Sequence, residues 1–149
     1  MSYITSRIRL QQSRDSHAPP PLISPASSPP AAKEVRVPEQ PVVALYGSDA
    51  VLNCTFGDGR AFNLSELSVF WQLTDTKRSV HAFWRRRDQL ADQAARFANR
   101  TALSAAGLGA GDASLLLRRV VVADEGSYTC FVRVRDYGSA ALLLQVAGE

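Results

Sequence analysis

From Asp124 to Cys130 the chain reads Asp-Glu-Gly-Ser-Tyr-Thr-Cys, the pattern D-x-G-x-Y-x-C. No other stretch limits the possible folds as strongly. Gly126 permits a tight turn that a residue bearing a Cβ resists. Tyr128 and Cys130 are two positions apart, so on a strand both side chains face the same side. The motif therefore describes a turn that feeds a strand whose inner face carries a tyrosine and a cysteine.

Upstream spacing decides what such a strand belongs to. The second cysteine, Cys54, lies 76 residues before Cys130 (130 minus 54), and Trp71 follows Cys54 by 17 residues (71 minus 54). Cysteine, tryptophan, then tyrosine two residues before a second cysteine is the arrangement of an immunoglobulin-type β-sandwich. There the tyrosine hydroxyl bonds back to nearby backbone, and the tryptophan packs on an inter-sheet disulfide. An even cysteine count at wide spacing fits one intradomain disulfide, which in the chain-entropy model stabilises by about 4 kcal/mol. The alternative is a pair of buried reduced thiols in a cytosolic protein. Three N-x-[ST] sequons and the tyrosine motif favour the oxidising secretory route.

Alternation supports the sandwich. Val35 and Val37, then Val42 to Leu45 after Pro41, read as an edge strand interrupted by proline. Ala50, Leu52, Cys54 and Phe56 share one face, with Val51, Asn53 and Thr55 on the other. Leu67, Val69, Trp71 and Leu73 form a second inward set, leaving Phe70 and Gln72 outward. Val80 to Trp84 is a further strand, and Asn99 to Leu103 another. The segment Arg85 to Phe97 fits a variable edge strand, a loop or a short helical turn. Gly107 to Asp112 reads as a glycine-rich connection, and Leu115, Leu117 and Val120 lead into Asp124. Past Cys130, Val132 and Val134 point inward while Phe131, Arg133 and Arg135 point outward. Asp136 to Ser139 reads as a hairpin turn, and Leu142, Leu144 and Val146 close the core. The expected fold is all-β: a variable-type (V-set) sandwich of about nine antiparallel strands over residues 34–149.

Residues 1–33 differ in kind. Pro19, Pro20, Pro21, Pro25, Pro29 and Pro30 stand among serine and alanine, a composition expected to be disordered. Met1 to Leu22 lacks the continuous apolar stretch of about 7–15 residues that a secretory signal needs. Export would then imply a fragment or an inaccurate gene model, which the cysteines and sequons favour over a chain that is never exported. No run reaches the roughly 18 apolar residues of a membrane span. Net charge is +3, with 15 arginines and two lysines scattered along the chain, too weak and diffuse for nucleic-acid binding.

The resemblance extends beyond the fold. VPEQPVVALYGSDAVLNCTF, FWQLTDTKRSVHAF, FANRTAL and the segment from Asp112 through Val146 resemble the membrane-distal V-set domain of B-seven/butyrophilin-type ligands, in the branch of the B-seven homolog three antigens. WQLTDTK, ANRTAL and RDYGSAA are more specific than the general sandwich pattern. The resemblance covers about residues 35–147 and is weakest at Trp84 to Arg96, where the run Arg85-Arg86-Arg87 departs from the family. It implies a cell-surface ligand that engages a protein receptor on T cells or other leukocytes and regulates their activation. It also implies membrane anchoring and a place on the extracellular side of the plasma membrane. Homophilic adhesion, or self-association through the same sheet, is the competing role.

Candidate sites follow. No catalytic residue, cofactor or metal is expected, since His17 and His81 stand apart from any motif of ligand or nucleophile spacing. Glycosylation is expected at Asn99 and Asn63 ahead of Asn53, which sits beside Cys54 on a paired strand. Asp124 is expected to pair with Arg100, with Arg96 as the alternative partner, an arrangement common in V-set domains. A receptor is expected on the outward face through Phe70, Phe131, Arg133 and Leu143, and on the loop of Arg135, Asp136, Tyr137 and Gly138. Aromatic and apolar groups rimmed by arginine are the composition enriched at interfaces.

Overall fold

The computed structural model describes residues 34–148. The proline-rich tail expected at 1–33 lies outside the described residues. The strands are β1 (Val35–Arg36), β2 (Val42–Leu45), β3 (Ala50–Leu52), β4 (Thr55–Phe56), β5 (Ser68–Leu73), β6 (Ser79–Trp84), β7 (Arg87–Asp88), β8 (Thr101–Leu103), β9 (Leu115–Leu117), β10 (Gly126–Val134) and β11 (Asp136–Ala147). A six-stranded sheet runs β2-β11-β10-β5-β6-β7, a three-stranded sheet runs β3-β9-β8, and β1 pairs with β4. The fold is an all-β immunoglobulin V-set sandwich.

The strand pairing refines the expected nine antiparallel strands. Eleven strands are present among the described residues, and β2 runs parallel to β11. Pro38 and Pro41 explain the interruption: neither has an N–H to offer a ladder, so pairing stops between β1 and β2. The chain then leaves its partner β4 and rejoins the other sheet on β11.

Between the sheets sit Leu52, Leu67, Val69, Trp71, Phe97, Leu115, Leu117, Tyr128, Cys130, Val132, Leu142 and Leu144, all fully or almost fully buried. The alternation of Ala50, Leu52, Cys54 and Phe56 inward against Val51, Asn53 and Thr55 outward holds residue by residue. Cys54 and Cys130 form a disulfide across the layers. Trp71 stands opposite Cys130 in the β5–β10 ladder, and its Nε1–H donates to the Ala113 carbonyl at 2.9 Å. The largest fully buried side chain thus has its one polar atom satisfied.

Three connections depart from the sequence reading. The Gly107–Asp112 connection includes part of a short helix, α1 (Ala105–Gly109), capped by the Ser104 hydroxyl, which accepts from the Gly107 N–H. After it, Gly111 has φ +91, and a Cβ there would stand 2.5 Å from the Phe56 carbonyl oxygen. Close backbone packing therefore requires glycine at that position. Asn99 is not on a strand: its φ is +64, and β8 starts two residues later. The third departure is the hairpin between β10 and β11. Val134 pairs with Asp136 and Arg133 with Tyr137, so the chain reverses at Arg135, φ +64. Residues 136–139 belong to β11 rather than to a turn.

Candidate binding face

The turn of the opening motif is the base on which the face is built. Gly126 has φ +149, a region that L side chains rarely adopt. It admits the chain to β10 directly after a short 3-10 turn at Val122–Asp124. Asp124 is fully buried in that turn. Its Oδ2 accepts from the Val121 N–H at 2.9 Å and from Arg100 Nη2, and its Oδ1 accepts from Arg100 Nη1 at 3.2 Å and Arg96 Nη1 at 3.2 Å. Arg100 and Arg96 therefore both reach the carboxylate. Arg100 is the better placed, because it also donates to the carbonyls of Arg96, Arg118 and Arg119.

Tyr128 completes this corner. Its hydroxyl donates to the Asp124 carbonyl at 2.6 Å, and its ring meets Phe97 edge-on at a centroid distance of 6.2 Å. Burial, and after it the Asp124 charge, push the phenol pKa well above its usual value. The hydroxyl stays protonated and keeps its role as donor.

On the other side of the same strands the outward residues form a row-by-row surface. Phe131 stands opposite Phe70 on β5, and Thr129 opposite Gln72. Toward β11, Phe131 faces Ser139, Thr129 faces Ala141 and Ser127 faces Leu143. Phe131 and Tyr137, a diagonal pair across the hairpin, stack at 5.9 Å with 25° between ring planes. Tyr137 is half exposed and Phe70 is 37% exposed. Arg133 is exposed beside them, while Arg135 at the hairpin tip reaches Glu66 at 3.6 Å. Ala141 on this face, and Ala82 opposite Phe70 on β6, are nearly covered by their neighbours. Small residues there leave the aromatic groups standing above a shallow floor.

Of the residues expected to meet a receptor, the pairing brings Phe70, Phe131, Arg133, Leu143 and Tyr137 onto this one face. Asp136 is partly exposed at the hairpin and Arg135 is exposed at its tip. Gly138 is the correction. It pairs with Val132, an inward residue, and is itself buried. The shift of the turn to Arg135 moves Gly138 onto the core side of β11.

The three sequon asparagines, Asn53, Asn63 and Asn99, are all exposed. The Asn53 side chain accepts a long hydrogen bond from Ser114 Oγ at 3.5 Å. His81 is the residue that spacing alone undervalued. It is buried on β6, its Nδ1 bonded to Thr101 Oγ1 at 2.8 Å and its Nε2 to Asp88 Oδ1 at 2.9 Å. Its partners lie 7 and 20 residues away, and no short motif announces them. Among the described residues no group of three or more His, Cys, Asp or Glu side chains is placed to hold a metal ion. No described helix is long and apolar enough to cross a membrane.

Comparison with known proteins agrees with this geometry. The family model for the immunoglobulin V-set domain matches residues 37–145. The CD276 antigen homolog of Xenopus laevis is 38% identical over 115 residues, covering 77% of this chain and 37% of that protein. Butyrophilin subfamily 1 member A1 of Mus musculus is 37% identical over 115 residues, covering 76% and 22%. The chain thus spans well under half the length of either curated relative. Among solved structures, the human B7-H4 IgV-like domain superposes with a TM-score of 0.72 at 29% identity, covering 78% of this chain and 98% of that one. The chain belongs to the immunoglobulin V-set domain family, with B7-type and butyrophilin-type proteins among its relatives.

Proposed function

We propose that this chain is the recognition domain of a cell-surface immune ligand, displayed on the extracellular side of the plasma membrane. It binds a protein receptor on T cells or other leukocytes and regulates T-cell activation and cytokine production. The observation that carries the reading is the outward aromatic group of Phe70, Phe131 and Tyr137 beside the exposed Arg133, on strands fixed from behind by the disulfide and Trp71. Large rigid aromatics flanked by arginine are the residues that dominate binding energy at interfaces. Similarity to the CD276 antigen homolog and to butyrophilin supports this reading.

The test is direct. The disulfide-bonded chain is multimerised, fluorescently labelled and added to resting and activated leukocytes, with cytokine release measured alongside. Saturable staining that Phe131→Asp removes, in a variant that still folds, supports the reading. Equal staining by the two proteins moves the receptor site to another surface.

A second reading is homophilic adhesion. The near-covered Ala82 and Ala141 make the face flat enough for the same face of a second copy, in an isologous contact. Concentration-dependent dimers in sedimentation, without leukocyte staining, would select that role.

A further inference from the structure

The hairpin between β6 and β7 carries Arg85, Arg86 and Arg87 in succession. Trp84 and Arg87 are cross-strand partners, so Arg85 and Arg86 alone form the turn. Both have positive φ, 57° and 66°. A two-residue turn with both central residues left-handed is the type I′ hairpin, for which Asn-Gly is the favoured pair. Arginine is strained in that backbone region. Backbone strain at an exposed position points to a use that folding does not explain.

The charges on this hairpin are available. All three arginines are exposed, and among the described residues none of them forms an ion pair. The one acid on the hairpin, Asp88, has its Oδ1 engaged by the buried His81 at 2.9 Å. Arg85 lies over the indole of Trp84, with its Cζ 5.4 Å from the ring centroid.

The sheet then extends this group into a line. Tyr137 pairs with Arg133, and Arg133 with Ser68. Val69 pairs with Phe83, so one further step of that ladder sets Ser68 opposite Trp84, which faces Arg87. The outward row is therefore Tyr137, Arg133, Ser68, Trp84, Arg87. With strands about 4.8 Å apart, Arg133 and Arg87 are separated by about 14 Å of backbone, with the indole between them.

We propose that this row and its turn form a docking site for a sulfated glycosaminoglycan chain. Guanidinium forks bind planar or tetrahedral oxyanions in bidentate fashion, which suits sulfate and uronate groups. A linear polymer that alternates anions with sugar rings can lay its anions on Arg133, Arg85, Arg86 and Arg87 and a ring face on Trp84. An anionic membrane is the poorer match, because both residues at the tip of the turn are arginine and the aromatic groups, Trp84 and Tyr137, lie back on the strands. This site overlaps the receptor face at Tyr137 and Arg133, and both are left intact in the test.

The test compares the whole disulfide-bonded chain with Arg85→Asn/Arg86→Gly, which removes two charges and installs the favoured turn. Lys77→Asn/Arg78→Ser is the control, removing equal charge at the opposite end of β6. Binding to a heparin octasaccharide is followed by calorimetry over a range of salt, with N-desulfated heparin and phosphatidylserine vesicles in parallel. The turn variant is expected to melt no lower than the wild type, to bind about tenfold more weakly, and to show a salt slope shallower by about two contacts. The control is expected to bind like the wild type. Equal loss in the control, unchanged affinity in the turn variant, or stronger capture by the vesicles than by heparin would overturn the proposal. Leukocyte staining by the turn variant separates the two readings: the Phe131 face can fail with heparin binding intact, and the reverse.

Discussion

Arg100 grips Asp124 through both carboxylate oxygens at the base of the sandwich. Asp124 is fully buried and the Arg100 side chain is only 13% exposed, so the pair lies almost wholly out of water. Removing Arg100 takes away the better-placed counter-charge of a buried carboxylate and leaves it only the half-exposed Arg96. Arg100→Ala is therefore expected to lower stability by about 3–5 kcal/mol. Arg96, whose side chain is 42% exposed, is expected to contribute no more than about 1 kcal/mol. Thermal and denaturant unfolding of both variants, closed into double-mutant cycles with Asp124→Ala, measures each coupling. An Arg100→Ala chain as stable as the wild type, beside a destabilised Asp124→Ala, would exclude the pair as the anchor.

Tyr128 gives a pH signature. Its phenol pKa is raised in the folded chain, first by burial and then by the Asp124 charge. A group with a raised folded pKa favours the folded state fully below its unfolded value, here near 10. That contribution is lost as pH climbs above 10 toward the folded value. In ultraviolet titration Tyr128 is expected to ionise only together with the loss of folded circular dichroism. Tyr128→Phe should remove that late phase and cost about 1 kcal/mol for the lost bond to the Asp124 carbonyl.

Glycan occupancy separates the three exposed asparagines. Asn99 sits in a turn with φ +64, and Asn63 precedes a single 3-10 turn. Asn53 adjoins the disulfide cysteine between β3 and β4, where early strand pairing competes with the transferase. In a chain made through the secretory route, mass before and after glycan removal is expected to show modification at Asn99 and Asn63 and little at Asn53. Full occupancy of Asn53 would mean that the transferase acts before β3 pairs with β9.

The Phe131–Tyr137 stack should matter for binding more than for folding. Tyr137 is half exposed, so Tyr137→Ala is expected to cost less than about 1 kcal/mol of stability. At a receptor interface the same truncation is expected to cost about 2 kcal/mol or more, which is roughly a thirtyfold loss of affinity. Parallel melting and leukocyte-binding titrations distinguish the two costs.

Much of the sandwich was legible because a strand reports its own faces. Period-two alternation placed Leu52, Cys54, Trp71, Tyr128, Cys130 and Leu142 in the core without reference to any partner. The turn from Asp124 to Tyr128 was legible for a related reason: the Tyr128 hydroxyl bonds the Asp124 carbonyl four residues back, whereas the Asp124–Arg100 pair, 24 residues apart, was expected from the family resemblance. The outward set was readable by the same alternation, since whatever is not inward on β10 must be outward.

Alternation by itself does not say which residue stands opposite which, and that is where the tertiary structure decided. The turn at Arg135 is set by closing β10 against β11 in one register, and a shift of that turn carried Gly138 from the loop into the core. His81 acquires Thr101 and Asp88 only when β6, β7 and β8 come together. Arg85-Arg86-Arg87 was a run of charge until the pairing of Trp84 with Arg87 made two of its members a strained turn. Composition and local spacing determined the fold and the inner face of the opening motif. Pairing between distant strands, which depends on how both twist and pack on a shared core, decided what the outer face presents.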